Sequence, residues 1–187
     1  MRFGQPGQFS VEAFHEPVDG MTGFGRMCVC VQDLQVGDIA ESGCSLRHAA
    51  EDLERLADEA MTLWDSSFDG LSDDQIFELL DRALFVDHGQ PEANIEEDGE
   101  RYWRFALLTN TGEHFDGYKV FAVRRDSCIH FLVQLPDDSI VSRVCDLSQV
   151  MVVLHEFLSW FRLVSAQPNG PMKLTGVPCH GPVFPAR

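Results

Sequence analysis

The alternation of apolar and polar residues predicts three strands near the start of the chain. A first strand is predicted over residues 8–15, where apolar side chains occupy every second position. A second is predicted over residues 24–32. Both of its faces are apolar, with Cys28 and Cys30 on one of them, so we expect this strand to be central in its sheet. A third, short strand over residues 34–37 completes a hairpin with the second.

A period of 3.6 residues then replaces the alternation and predicts two helices. Ser45 is a good N-cap for a helix over residues 45–64. Ser72 and Gln75 have the spacing of a capping box and predict the start of a second helix over residues 72–86. Acidic side chains fill the outer side of both helices. We expect the two helices to pack together as a pair.

The second half of the chain predicts a loop, a set of strands and a last helix. Residues 88–100, HGQPEANIEEDGE, are predicted to be an acidic loop. Strands are then predicted at Tyr102–Thr109, Tyr118–Arg125, Cys128–Leu135 and Ile140–Asp146. Their short connections indicate an antiparallel meander. A helix over residues 148–165 is apolar almost all round, so we expect it to be buried against the sheet.

These elements predict an α+β fold, with an antiparallel meander sheet, the helix pair 45–64 and 72–86, and the C-terminal helix 148–165 packed on the sheet. At 187 residues, one domain is the default, and we assign it to residues 1–166. Residues 167–187 hold 5 of the 9 prolines among several glycines. That composition predicts a flexible tail without regular structure.

The negative charge is concentrated in the middle of the chain. The formal net charge is −16, and residues 51–100 alone have 17 acidic and 2 basic side chains, a net charge of −15. Nucleic acid as a partner is disfavoured, because its phosphates require lysine and arginine for neutralisation. The same field would attract a basic protein. The alternative is a solvated helical face that only keeps the protein soluble.

The sequence predicts a cytoplasmic protein with reduced thiols. Six cysteines are present, but the chain is too long to need disulfides for stability. The first residues, MRFGQPGQF, lack the apolar core of a signal peptide. No stretch resembles the about 18 apolar residues of a membrane span, so no membrane partner is expected.

Catalytic and metal-binding motifs are incomplete in this chain. His155 and Glu156 begin an HExxH motif, but Ser159 stands where the second histidine is required. Cys28 and Cys30 have a spacer of only one residue, whereas structural zinc sites use pairs separated by two to four. Neither a P-loop nor a complete glycine fingerprint is present. We therefore predict no enzyme activity, no catalytic residues, no metal site and no cofactor.

A set of short motifs carries a family resemblance. The opening M-x-F-G-x-P-x-x-F-S and the later Phe115-Asp116-Gly117-Tyr118-Lys119 bracket three others: Gly25-Arg26 with Cys28, Val36-Gly37-Asp38, and Ser45-Leu46-Arg47. Their order and spacing over roughly residues 1–165 resemble immunity protein family 42 of bacterial polymorphic toxin systems. The family often has a tryptophan before the Gly-Arg strand, where this chain has Gly23 and Phe24.

The resemblance implies a small α+β protein encoded beside a toxin, which it binds and blocks without catalysis. A basic toxin, for example a nuclease with a basic groove, would suit the charge of this chain. Two alternatives remain open. One is a small enzyme or small-molecule-binding domain with a pocket between sheet and helices. The other is a structural interaction module.

Our hypothesis for the site places toxin binding on the acidic stretch 51–100. The exposed sides of the two helices and the loop after them are predicted to present eight acidic side chains: Asp52, Glu59, Asp74, Glu78, Asp81, Glu96, Glu97 and Asp98. Trp64 and Phe68, which lie between the helices, are candidate apolar anchors, with core packing as the alternative use of both.

Overall fold

The computed structural model describes residues 1–18, 21–109 and 111–166. These residues form two antiparallel sheets and four α-helices, which confirms the predicted α+β class. The predicted tail at 167–187 lies outside the described residues, and the assignment of residues 1–166 to one domain stays a prediction.

The first sheet contains the hairpin predicted near the start of the chain. Its strands are β1 (Arg2–Gly4), β2 (Phe9–His15), β3 (Phe24–Val31), β4 (Leu34–Val36) and β5 (Cys44–Ser45). The order is β1-β2-β3-β4, and β5 also pairs with β3. The central position predicted for β3 is therefore confirmed. Alternate residues of β2 and β3, such as the partners Val11 and Val29, point into the core.

The second sheet is a separate meander, so the structure has two sheets where we expected one. Its strands are β6 (Ala106–Leu107), β7 (Lys119–Arg125), β8 (Cys128–Gln134) and β9 (Ile140–Asp146), in that order. The last three match the predicted strands closely. The long strand predicted over 102–109 is wrong, because only two residues of it pair with β7.

The helices are α1 (Leu46–Glu59), α2 (Asp73–Leu84), α3 (Glu92–Tyr102) and α4 (Leu147–Ser165). The predicted N-caps are confirmed: the Ser45 hydroxyl accepts a hydrogen bond from the backbone N–H of His48, and Ser72 forms the capping box with Gln75. Helix α1 is shorter than predicted, because a 3₁₀ turn replaces it from Ala60.

Two predictions about the helices need correction. Residues 92–102, most of which we expected in a loop, form α3, with Glu92 in its first turn and Arg101 in its last, where each charge complements the helix dipole. The predicted pair of helices also separates in the fold. The main helical partner of α1 is α4, and that of α2 is α3.

Helix α4 joins the two sheets. It packs on β1 and β2 of the first sheet and on β8 and β9 of the second. Its inner face is buried, but Val152 and Leu163 are 57% and 69% exposed, so the burial we expected holds for one side only. Among the described helices, α4 is apolar and long enough to pass as a membrane span by composition, contrary to our expectation. The core helix of a soluble protein passes the same test.

Aromatic side chains fill the space between these layers. Phe9 on β2 stacks on Phe131 of β8 with ring centroids 5.2 Å apart, so the two sheets are in contact. Phe157 of α4 is fully buried and makes an edge contact with Phe3 at 5.8 Å. The core is therefore shared by both sheets and α4.

Candidate partner-binding surface

Helix α2 is fastened to the second sheet through its first residue, Asp73. One carboxylate oxygen of Asp73 accepts hydrogen bonds from Ser142 Oγ at 2.5 Å and from His130 Nδ1 at 3.0 Å. The other oxygen lies 3.0 Å from Arg125 Nη1. Burial raises the pKa of the Asp73 carboxyl, but the hydrogen bonds from His130 and Ser142 outweigh it and lower the pKa below its ordinary value.

The apolar stripe of α2 determines which of its sides faces the solvent. Ile76, Phe77 and Leu80 are buried in the core. Asp74 and Glu78, one helical turn apart on another side, are exposed. The fold thus presents α2 with its acidic residues outward.

Helix α3 is held to the molecule at its C-terminal end. The ring of Tyr102 is buried against Phe68, and the two ring centroids are 6.2 Å apart. Next to it, Arg101 binds the Asp65 carboxylate with two nitrogens, at 2.5 and 3.0 Å. This pairing with Arg101 is the main reason that the pKa of Asp65 lies far below its ordinary value. At the other end of α3, residues 91–97 are all exposed.

Helices α2 and α3 enclose a groove of about 470 Å³. Glu78 of α2 and Asp98 of α3 are among its lining residues, with Leu79 and Ala83 as apolar neighbours. The other lining residues are Gln75, Arg82, His88 and Tyr102. With two carboxylates against the one arginine, the groove has an acidic side and an apolar part, which suits a long cationic side chain.

Six of the eight residues predicted for the site lie on α2 and α3. Asp74, Glu78, Glu96 and Glu97 are exposed. Asp98 is half-buried in the groove, and Asp81 is held by Lys119 at 2.5 Å. Glu96, Glu97 and Asp98 were expected in a loop, and the structure instead fixes them on a helix.

The other two predicted residues, Asp52 and Glu59, lie on α1 and are both half-buried. Asp52 accepts a hydrogen bond from Arg55 at 2.8 Å, and the same Arg55 nitrogen donates to the Ala106 carbonyl oxygen at 2.6 Å. Burial raises the pKa of the Asp52 carboxyl above its ordinary value. Asp52 thus takes part in connecting α1 to the start of the second sheet, a structural use that the acidic pattern alone did not distinguish.

Sequence reasoning missed the exposed aromatic residues of this surface. Phe85 and Trp103 are the C-cap residues of α2 and α3, and they are 39% and 41% exposed. Trp103 was assigned to a strand, where burial would be expected. Recognising α3 from its charges at both ends would have placed Trp103 at a helix terminus.

Trp64 and Phe68, the candidate anchors from the sequence, pack against each other in the fold. Phe68 is fully buried, and Trp64 makes an edge contact with it at 5.5 Å. Both line a groove of about 630 Å³ that also includes Arg124 and Arg125. Both arginines donate hydrogen bonds to backbone carbonyl oxygens, and Arg125 also pairs with Asp73. Most of the polar groups that a ligand would need are therefore already engaged.

Among the residues that the structure describes, no group of three or more histidine, cysteine or acidic side chains is placed to hold a metal ion. Ser142 and His130 both bind the same oxygen of Asp73, so the serine is not paired with the histidine as a nucleophile would be. The cluster around Asp73 fastens α2.

Comparison with known proteins gives two matches. The sequence model of the family described as Immunity protein 42 matches residues 1–160. No curated protein matches the chain. Among solved structures, CdiI from Burkholderia dolosa is similar with a TM-score of 0.60 and 15% sequence identity, covering 86% of this chain and 99% of that one. At this identity the likeness is one of fold.

Proposed function

The chain belongs to the Immunity protein 42 family, and from this premise we propose that it binds a cognate bacterial toxin domain and neutralises it through the acidic surface of α2 and α3. A toxin-neutralising immunity role follows from the family. The binding surface, the basic character of the toxin and action in the cytoplasm are our own inferences.

The charge of α2 and α3 is the observation that carries the proposal. Residues 73–102 contain 10 acidic and 2 basic side chains, a net charge of −8. Most of these acids are exposed, and the helices that carry them are fixed by Asp73 and by the Asp65–Arg101 pair. A rigid acidic surface complements a basic one and accelerates the encounter of two proteins.

The roles of the polar side chains in the described ranges are consistent with inhibition without catalysis. The histidine, serine and carboxylate groups that lie close together are engaged in fastening secondary structure, as Asp73 is. We propose that the protein acts by occupying the toxin and that it does not turn over a substrate.

We expect the gene of the cognate toxin domain beside that of this chain, and the test uses that domain. Association and dissociation rates are measured on the immobilised toxin at several salt concentrations. Exposed charges are screened over about 8 Å at physiological salt, so we expect salt to slow association more than it speeds dissociation. Reversing Glu96, Glu97 and Asp98 to lysine should slow association at least about tenfold in low salt while the protein stays folded.

A matched variant controls for total charge. Reversing Glu51, Asp58 and Glu156 to lysine changes the net charge by the same amount on exposed positions of α1 and α4. We expect a smaller loss of association rate from this variant. Equal losses of association rate would mean that net charge alone attracts the toxin. Unaltered binding by both variants would mean that the interface lies outside the acidic surface. Failure of the unmodified protein to bind the toxin would refute the proposed function itself.

A further inference from the structure

Two exposed aromatic rings lie side by side at the ends of α2 and α3. The ring centroids of Phe85 and Trp103 are 6.2 Å apart. Val86, next in the chain, is 44% exposed. Together Phe85, Val86 and Trp103 form an apolar patch, which we call the aromatic patch, on the same pair of helices as the acidic surface.

The aromatic patch is held by the fold. Phe85 also contacts Phe121 in the second sheet, with centroids 6.0 Å apart, and Phe121 is fully buried. The C-cap N–H groups of Phe85 and Trp103 both donate to helix carbonyl oxygens, so the backbone at each ring is fixed. Fixed aromatic side chains that stay exposed are typical of protein-binding surfaces, because little conformational entropy is lost when a partner covers them.

The electrostatics of this position favour a cation. Each ring stands at the C-terminal end of a helix, where the helix dipole is negative. The face of an aromatic ring is also negative, and tryptophan attracts a cation most strongly. The two helices add the net charge of −8 of residues 73–102. The cations near the rings, Arg101, Arg104 and Lys119, are each paired with a carboxylate.

The chain already uses this chemistry internally. Lys119 Nζ lies 5.5 Å from the centre of the Phe85 ring while it binds Asp81 at 2.5 Å. Arg101 lies over the ring of Tyr102 at 5.0 Å. Within the ranges that the structure describes, Trp103 is not among the rings that have a cation over them.

We propose that Trp103, with Phe85 beside it, receives a lysine or arginine side chain of the toxin and is the anchor of the interface. The inference rests on the proposed function and makes it more specific. Acidic residues around an interface mainly set the association rate, whereas buried aromatic anchors set the lifetime of the complex. The cation stacks on the indole, and its aliphatic stem covers the apolar area.

The test compares two substitutions of similar size at Trp103. Trp103→Phe keeps an aromatic face, and Trp103→Leu removes it but keeps the position apolar. Dissociation from the immobilised toxin domain is measured for both. We expect the leucine variant to dissociate about tenfold faster than the unmodified protein and the phenylalanine variant to stay within about threefold, since a desolvated cation–π contact has this order of effect. Association should change little in either variant.

Leu163→Ala is the control, because Leu163 is 69% exposed on α4, outside the aromatic patch. It should leave the dissociation rate unchanged. Thermal unfolding of each variant verifies the fold.

Equal dissociation rates for the phenylalanine and leucine variants would overturn the proposal, whether both are fast or both unchanged. A dimer of the free protein that Trp103→Leu converts to monomers in sedimentation would also overturn it, since a second copy would then cover the patch. Absence of toxin binding by the unmodified protein would instead refute the proposed function.

Discussion

Replacing Asp73 with alanine tests how α2 is fastened to the second sheet. The substitution removes the acceptor of Ser142 Oγ and His130 Nδ1 and the partner of Arg125. It keeps the good helix propensity of the first turn, because alanine is the most favourable residue in a helix. We therefore expect the loss to come from these three contacts.

The size of the effect follows from the exposure of the side chains. The Asp73 side chain is 20% exposed and that of His130 is 16% exposed, so their hydrogen bond is largely shielded from water. Hydrogen bonds to a charged group contribute about 1.5–3 kcal/mol each, and the more exposed Arg125 pair adds less than about 1 kcal/mol. Discounted for partial exposure, the contacts together predict a loss of about 2–4 kcal/mol in the free energy of unfolding.

Urea denaturation at pH 7 measures this loss, and Asp74→Ala is the matched control. Asp74 stands beside Asp73 in the same helical turn but is exposed. Both substitutions remove one favourable charge from the helix N-terminus, worth about 0.3–1 kcal/mol, so the difference between them isolates the contacts of Asp73. Equal losses would refute the reasoning and would leave α2 held by its apolar stripe alone.

The pH dependence provides an independent measurement on Asp73→Asn. The folded protein lowers the pKa of the Asp73 carboxyl. A lowered carboxyl pKa contributes stability that is present above the unfolded pKa of about 3.9 and is lost as the pH falls through the folded value. The stability advantage of the unmodified protein over the asparagine variant should be full near pH 7 and should shrink below about pH 4.

Three further substitutions test other parts of the structure. Gly99→Ala should stabilise α3 by about 0.5–1 kcal/mol in urea denaturation, because a Cβ meets nothing there within 4 Å and glycine is unfavourable in a helix; a loss would mean that the glycine is needed for packing. Gly25→Ala should destabilise the protein by about 3 kcal/mol, since its Cβ would lie 2.0 Å from the Phe14 carbonyl oxygen; a neutral result would show that β2 can move away from β3. Asp65→Ala removes the partner of Arg101, so hydrogen exchange should accelerate in α3 and not in α1; uniform exchange rates would show that α3 is held by other contacts.

The elements that could be predicted from the sequence are those with local causes. The capping box of Ser72 and Gln75 involves residues three positions apart, and the structure has it as predicted. Strand β3 was placed correctly because both of its faces are apolar, which is itself the signature of a central strand.

The elements that were missed depend on distant residues. Helix α3 has Pro91 as an N-cap without a side-chain hydrogen bond and Gly99 inside it, so its local signals are weak. It is fixed by the contacts of Tyr102 with Phe68 and of Arg101 with Asp65, more than thirty positions away in sequence. The packing of the two sheets on one core likewise depends on contacts such as that of Phe9 with Phe131.

The surroundings of the candidate site residues could be predicted only in part for the same reason, and their role in binding stays a prediction. The abundance of acidic residues in the middle of the chain is visible in the sequence, but it made Asp52 and Glu78 equally good candidates for partner binding. Only the fold separates a carboxylate that connects α1 to β6 from one that faces the solvent. The aromatic patch could not be predicted, because the exposure of Phe85 and Trp103 follows from where two helices end.

The exposed segment at the start of α3 can vary in sequence without loss of the fold. Residues 91–97 are all exposed, and the contacts that fix α3 come from its other end. Substitutions there disturb little packing, so each should alter stability by no more than about 0.5 kcal/mol. Variation in this segment can therefore be selected for its effect on a partner alone. If α3 contacts the toxin as we propose, changes in the toxin surface can be matched by substitutions in this segment while the fold stays the same.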